Sequence, residues 1–443
     1  MTFFALTLSV NSQVFWNRVA STFVDQRRIV SISYANANDV WFHVGANGPS
    51  PTQIQQFARS TDGGNTWTNG NINLGNAGLG IANIEALSAT TAYVCAFVPV
   101  GGAGGGIWKT TDSGATWVNQ PTALFNTAGE SFPDFVTFWD TNEGLAVGDP
   151  AGGYLEIYRT LNGGSNWTRL SSASIPPILD GEYAITDQFQ VIGNTVWFST
   201  NKGRIYRSVD KGVTWTVTQT LIDTFLAPGK RFTFSTATNG LLKDDAGTFY
   251  QTTDGGLTYT DLFPSGTLRE GNICAVPDLP NVYLINGNDL DNAQGGSSYS
   301  CDGGLNWTNI NTLGDTFAVL PDEMEFFSPS NGIAGGLNVD ALVGGVFKYV
   351  GTQLSGCNLA SSQFSSDKLF TLSPNPTSDK FTLAGQNINQ VQVTDILGKV
   401  IINNNYATLS NVELNISNFN AGVYMVKVTN NEGKSSVVKV VKQ

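Results

Sequence analysis

The chain has 443 residues, of which 13% are charged and 49 are glycine, and its formal net charge is −12. The length admits one large and one small domain, or two to three domains. The glycine-rich, charge-poor composition suits an all-β protein dense in turns. An acidic surface repels polyanions, which excludes nucleic acid as a partner, and no basic amphipathic stretch points to a membrane surface.

Residues 1–12 read MTFFALTLSVNS. This apolar run ends in small residues, as the remnant of a signal peptide does, although the basic start is missing. A mature chain is expected to begin near Gln13. No later run is long enough to span a bilayer, so no transmembrane segment is expected. The four cysteines, Cys95, Cys274, Cys301 and Cys357, show no CxxC spacing and hence no zinc or redox motif. A disulfide after export is allowed, with the pairing open. Cys95 and Cys274 lie in strand-like runs and read as buried apolar side chains.

One eight-residue pattern recurs. It reads STDGGNTW at 60–67, TTDSGATW at 110–117, TLNGGSNW at 160–167, SVDKGVTW at 208–215, TTDGGLTY at 252–259 and SCDGGLNW at 300–307. The starts at 60, 110, 160, 208, 252 and 300 lie 44 to 50 residues apart, the period of a four-stranded propeller blade. Each copy makes sense as a hairpin turn. The side chain of Asp62, Asp112, Asn162, Asp210, Asp254 or Asp302 accepts N–H bonds within its own turn. The glycine two residues later supplies positive φ. The aromatic residue (Trp67, Trp117, Trp167, Trp215, Tyr259 or Trp307) enters the next strand and buries its ring between blades. The pattern resembles the Asp-box, or bacterial neuraminidase, repeats of sialidases, some xyloglucan hydrolases, sortilin-like receptors and photosystem II assembly factors. In that family these turns lie away from the active site, so the boxes imply fold rather than chemistry, and no calcium is expected in them.

The first unit predicts strands at Val30–Tyr34, Val40–Val44, Gln55–Arg59 and Thr66–Ile72. A last unit without a box offers three strands, at Met324–Phe327, Gly332–Gly336 and Gly345–Val350. Its fourth is expected from the N-terminal segment Val14–Val19, which resembles the post-box strands. This closes a ring over residues 13–353 and removes an open sheet edge. The expected fold class is all-β, a seven-bladed β-propeller followed by a small Ig-like β-sandwich.

Residues 354–368 are Ser-rich and read as a linker. Residues 369–443 show six short alternating strand segments, enough for a compact sandwich. The motifs LSPNP (with Pro374, Asn375 and Pro376), DILGKV (with Gly398), GVYMVKV (with Gly422, Tyr424 and Lys427) and the terminal VKVVK (with Lys439 and Lys442) resemble the type A sorting domain of the type IX secretion system. The resemblance implies a Bacteroidota-type exported protein, secreted or held at the outer-membrane surface. It implies recognition by the secretion machinery, and removal of the domain by a sortase-like protease near the linker.

Standard catalytic and cofactor motifs are absent: no HExxH, P-loop or dinucleotide fingerprint occurs, and neither a metal nor a cofactor is expected. The single histidine, His43, sits in an alternating strand and reads as packed rather than catalytic. Charge concentrates instead in the segments leading into each inner strand: Arg27 and Arg28, Glu85, Glu130 and Asp134, Asp180 and Glu182, Lys230 and Arg231, Arg269 and Glu270, and Asp322, Glu323 and Glu325. Phe132, Tyr183, Phe232 and Phe326 accompany them. In propellers these segments ring one mouth of the central channel. Arg28, Glu130, Asp134, Glu182, Tyr183, Arg231, Arg269, Glu270, Glu323 and Glu325 are therefore candidates to bind an extracellular protein or glycan. The alternative is a glycoside hydrolase using two carboxylates from Glu130, Asp134, Asp180, Glu182 and Glu325, with arginines holding an anionic sugar. Against it, the Arg-Ile-Pro motif and arginine triad of sialidases are not found, and the xyloglucan hydrolases of the family use two propellers. Solvated, mutually paired loop charges are the third reading.

Overall fold

The structure is a computed structural model that describes residues 15–20, 23, 26–46, 53–99, 104–225, 230–287, 296–310, 321–338, 344–351, 354, 357, 370–395, 399–431 and 435–443. The signal-like segment 1–12, Gly398 and most of the linker lie outside the described residues. The chain divides into two compact units, Met1–Asn358 and Leu359–Gln443.

The first unit is a ring of seven blades, each of four antiparallel strands, with the short strand Ser265–Gly266 added in parallel at the outer edge of blade 6. Blade 1 runs Arg27–Tyr34, Val40–Ala46, Gln56–Ser60 and Thr68–Asn71. The innermost strands of blades 2 to 7 are Gly80–Ala86, Pro133–Phe138, Ala184–Ile192, Phe232–Phe234, Ile273–Ala275 and Pro321–Ser328. Each inner strand lies beside that of the next blade, and the last lies beside the first.

The box turns are built as their residue types require. Asp62 Oδ1 accepts from the N–H groups of Asn65 and Thr66 at 2.9 Å each, and Oδ2 accepts from the Thr66 hydroxyl at 2.6 Å. Burial acts to raise its carboxyl, but these bonds to the charged form together hold it down at about 2. Asp210 and Asp254 repeat the pattern. The glycines do double duty. Gly64, with φ +85°, sits where a Cβ would lie 2.5 Å from Ile333 of blade 7, and a Cβ on Gly114, φ +86°, would lie 2.1 Å from the ring of Phe57 of blade 1. Each of these turns thus packs down on the preceding blade, so glycine is needed for close approach as well as for backbone conformation. Trp117 meets Phe57 edge-on at 5.9 Å across the same boundary.

Polar side chains stitch the inner strands where a barrel would use backbone pairing. The Asn83 amide donates to Val136 O at 2.8 Å and accepts from Val136 N at 2.9 Å. Gln190 makes the same pair of bonds with Phe234. Blade 7 is completed by Trp16–Val19, which pairs antiparallel with Gly344–Tyr349. Trp16 is fully buried, packs edge-on against Phe326 and Tyr349, and donates its indole N–H to Ser297 Oγ of blade 6 at 2.8 Å. Arg27 and Arg28 pair with Asn338 and Leu337, joining blades 1 and 7 into one sheet. Cys301, in the sixth box, is disulfide-bonded to Cys357, with Cα atoms 5.2 Å apart; Cys95 and Cys274 are free and buried.

The second unit is a five-stranded β-sandwich of Phe370–Ser373, Lys380–Asp395, Val400–Asn415, Gly422–Asn430 and Ser435–Lys442. Register shifts along Lys380–Asp395 bend the sheet around its core. Alternate residues point inward, among them Val391, Val393, Tyr424, Val426, Val428 and Val440. Lys427 and Lys439 take the outward positions. Asn375 clamps the last strand, donating to Lys439 O at 2.7 Å and accepting from Val441 N at 2.9 Å. The Tyr424 hydroxyl donates to Asn420 O at 2.7 Å. Among the described residues no helix is long and apolar enough to cross a membrane.

Candidate functional site

The inner strands enclose a cavity of about 740 Å³ on the propeller axis, bordered by residues of all seven blades. Its charged lining is Glu85, Asp187, Lys230, Asp278 and Glu325, joined by Ser31, Ser33 and Thr137. Each arrives by a different route. Glu85 projects from the inner strand of blade 2 and ties three blades together. It accepts from Phe138 N at 3.0 Å, Thr137 Oγ1 at 3.1 Å and Ser33 Oγ at 3.3 Å. Burial outweighs these bonds and pushes its carboxyl up to about 7.

Asp187 lies within a register shift between Ala184 and Phe189, at φ +57°, a conformation that L-residues seldom adopt. Asparagine and aspartate tolerate it best, and here it places a carboxylate on the channel wall. Burial raises Asp187 to about 7, although Lys230 and the Ser31 hydroxyl favour its charged form. Lys230 donates to Glu325 Oε2 at 3.1 Å, with Glu323 Oε2 at 4.0 Å. Burial acts to lower its pKa, but Glu325, Glu323 and Asp187 together hold it well above the usual value. The charged set is thus one ammonium among an excess of carboxyl groups.

A second, smaller cavity of about 260 Å³ opens between blades 3 and 4, lined by Phe132, Asp134, Asp149, Tyr183, Ala184, Ile185, Thr186 and Phe225. Asp134 and Asp149 are paired carboxyl groups. Burial and the neighbouring Asp149 charge push Asp134 well up, and burial lifts Asp149 to about 7.

The charged residues singled out in the sequence do not converge on one mouth. Several lie within strands rather than in the loops before them: Arg28 pairs with Gly45 and Leu337, and Asp134, Glu323 and Glu325 sit in inner strands. Glu323 and Glu325 reach Lys230 on the axis; Asp134 and Tyr183 border the smaller cavity. Glu182 does not face a ligand space. It is buried against Arg204 Nη1 at 2.6 Å, Thr200 Oγ1 at 2.6 Å and Leu179 N at 2.7 Å, because a buried carboxylate needs its donors. Arg269 is likewise buried, donating to Asn309 Oδ1 at 3.0 Å. Arg231 pairs with Asp245 at 2.8 Å. Glu130 is exposed and accepts from Gly152 N at 2.6 Å; Asp180 and Glu270 are exposed. His43 is packed inside blade 1, its pKa lowered to about 4 by burial. Asp187 and Asp149 were not among the sequence candidates. The register shift that orients Asp187 has no box-like signature, and Asp149 lies at the end of a second strand, outside the segments that lead into the inner strands. Among the described residues no cluster of three or more potential metal ligands occurs.

Residues 371–443 match the family of secretion system C-terminal sorting domains. The chain carries a type IX sorting domain. That domain marks the protein for export to the cell surface or beyond it, and is the part that engages the type IX machinery. No curated protein matches the sequence. Among solved structures, YCF48 from Cyanidioschyzon merolae aligns with TM-score 0.50 and 15% identity, over 76% of this chain and 99% of that one. A GH74 xyloglucanase from Xanthomonas campestris aligns at TM-score 0.30 and 14% identity, over 91% and 65%. PorZ, a surface component of the type IX secretion system of Porphyromonas gingivalis, aligns at 0.31 and 12%, over 98% and 75%. At such identities the likeness to YCF48 is one of fold, the β-propeller of a sorting-domain protein in this case, and the two lower scores add nothing to it.

Proposed function

We propose that the sorting-domain protein is an exported binding propeller that takes part of a protein or glycan ligand into its central channel. The observation behind this reading is Asp187. A non-glycine residue in the left-handed region is tolerated at a cost of about 1–3 kcal/mol where the surroundings enforce it, and such residues cluster at functional sites. This one presents a carboxylate to a cavity already bordered by Glu85 and Glu325. The excess of carboxyl groups suits polar or cationic groups on the ligand, and the focused field of a charged channel raises local ligand concentration. The C-terminal domain is removed during export, leaving the propeller to act outside the cell.

The test is a glycan array and a surface-protein pull-down with the propeller, its Asp187→Asn and Glu325→Gln variants, and a parallel assay for new reducing ends. The reading expects a ligand whose binding falls at least tenfold in either variant, with no reducing ends formed. Ligand binding unchanged by both variants would overturn it. Release of reducing ends would move the assignment to glycoside hydrolase. Of the five carboxylates proposed for hydrolysis, Glu325 alone borders the channel cavity.

A further inference from the structure

The cavity between blades 3 and 4 is separate from the axial channel and poses a different chemical problem. Asp134 is 1% exposed, on the inner strand of blade 3. Its Oδ1 accepts from the Thr186 hydroxyl at 3.1 Å, but its Oδ2 is buried without a hydrogen-bond donor. Beside it, Asp149 Oδ1 accepts from Ala184 N at 3.1 Å. The fold therefore satisfies one oxygen of each carboxyl and sets the pair against each other, sharing a hydrogen bond at the wall of the cavity. Two adjacent carboxyl groups do not both ionise unless something positive sits with them, and a buried polar atom left without a partner calls for an explanation. No basic side chain lines the cavity; its other walls are the rings of Phe132, Phe225 and the exposed Tyr183, with Ala184 and Ile185.

We infer that this cavity is a subsite for a primary ammonium group, whose N–H bonds go to Asp134 and Asp149 while its aliphatic stem lies among the three aromatic rings. An ammonium carries three donors and no acceptor, which fits carboxyl oxygens that want donors. Charge-assisted bonds to carboxylates are the strong class, and aromatic walls add attraction for a cation. The volume of about 260 Å³ admits an unbranched side chain. Binding exchanges one cation for another: the proton held by the pair leaves to solvent as the ammonium enters. The other titratable groups around the pair are Glu156, which raises Asp149 further and is itself 3.7 Å from Arg169, the Cys95 thiol, which faces Asp134, and Asp187 beyond it. Glu156 and Asp187 disfavour added negative charge, and the buried Cys95 thiol is neutral, which sharpens the preference for a cation.

The chemistry is shared by a lysyl side chain and an amino sugar, so the experiment carries both. Isothermal titration of the full chain at pH 6 uses Nα-acetyl-lysinamide, glucosamine and, as the neutral control, Nα,Nε-diacetyl-lysinamide, in two buffers of different ionisation enthalpy. The inference expects one of the first two to bind with release of about one proton, the control not to bind, and Asp134→Asn to weaken binding at least tenfold. Tyr183→Ala, at an exposed position that folding does not require, should weaken it several-fold. Binding by lysinamide alone assigns the subsite to protein partners, and by glucosamine alone to glycans. Absence of binding by both, equal binding of the acetylated control, or binding without proton release would overturn the inference. The channel variant Glu325→Gln, whose carboxyl is not among the charges around this pair, leaves this titration unchanged, so failure here and failure of the channel reading are told apart.

Discussion

Replacing Glu85 by glutamine tests the electrostatics of the channel directly. The carboxyl is raised from its usual 4.5 to about 7 because burial disfavours its charge more than three hydrogen bonds favour it. The folded protein therefore binds a proton that the unfolded chain has already lost between those two values. Linkage makes stability fall as pH rises through that window. The contribution is fully present below pH 4.5 and gone above about pH 8. At about 1.4 kcal/mol per pH unit the span corresponds to an upper bound of about 3 kcal/mol. Because the carboxyl borders an open cavity, solvent screening reduces this to about 1–2 kcal/mol. Glutamine copies the protonated form: its carbonyl still accepts from Phe138 N, and its amide donates to a hydroxyl. Urea denaturation of wild type and Glu85→Gln at pH 5 and pH 8.5 cancels the carboxyls that Glu85 does not touch, while Asp187, which the Glu85 charge raises, adds to the difference in the same direction. The variant should gain about 1–2 kcal/mol on wild type between the two pH values. A difference that is the same at both, or that moves toward wild type at high pH, refutes the argument.

Trp16→Ala should cost about 3–5 kcal/mol, since it leaves a cavity where a fully buried ring packed and breaks the bond to Ser297; limited proteolysis should then cut first within blade 7. In the fourth box, Asp210→Ala removes the acceptor for Val213 N, Thr214 N and the Ser208 and Thr214 hydroxyls; a loss of about 2 kcal/mol is expected in chemical denaturation. The reverse change, Asn162→Asp, should stabilise by about 0.5 kcal/mol, because the neighbouring Asn166 can then donate as Asn306 does to Asp302 at 2.6 Å. Reducing the disulfide between Cys301 and Cys357, 56 residues apart, should lower stability by about 4 kcal/mol on chain-entropy grounds, read as a shift in denaturation midpoint with and without reductant.

The architecture was legible in the sequence because each box is a closed local problem. Asp62 finds all its donors within four residues, and its glycine and tryptophan follow at fixed steps. Such contacts are written in sequence spacing, so the period declares the blade. The sorting domain was legible for a related reason: Asn375 and the terminal strand it clamps carry recognisable motifs at the chain end.

What the spacing could not carry was the pairing of charges between blades. Glu85 meets Thr137 and Ser33, 52 residues away in each direction, and Lys230 meets Glu325, 95 residues on. Glu182 looked like a channel acid in the sequence and is instead the buried partner of Arg204. Asp187 reaches the axis through a local register shift, and Asp149 joins Asp134 from an adjacent strand. Hydrogen bonds within a turn depend on the order of a few neighbouring residues, which the sequence alone specifies. Whether a distant carboxylate is neutralised, ion-paired or open to a ligand depends on burial and on what the ring closure brings beside it, and only the tertiary structure decides that.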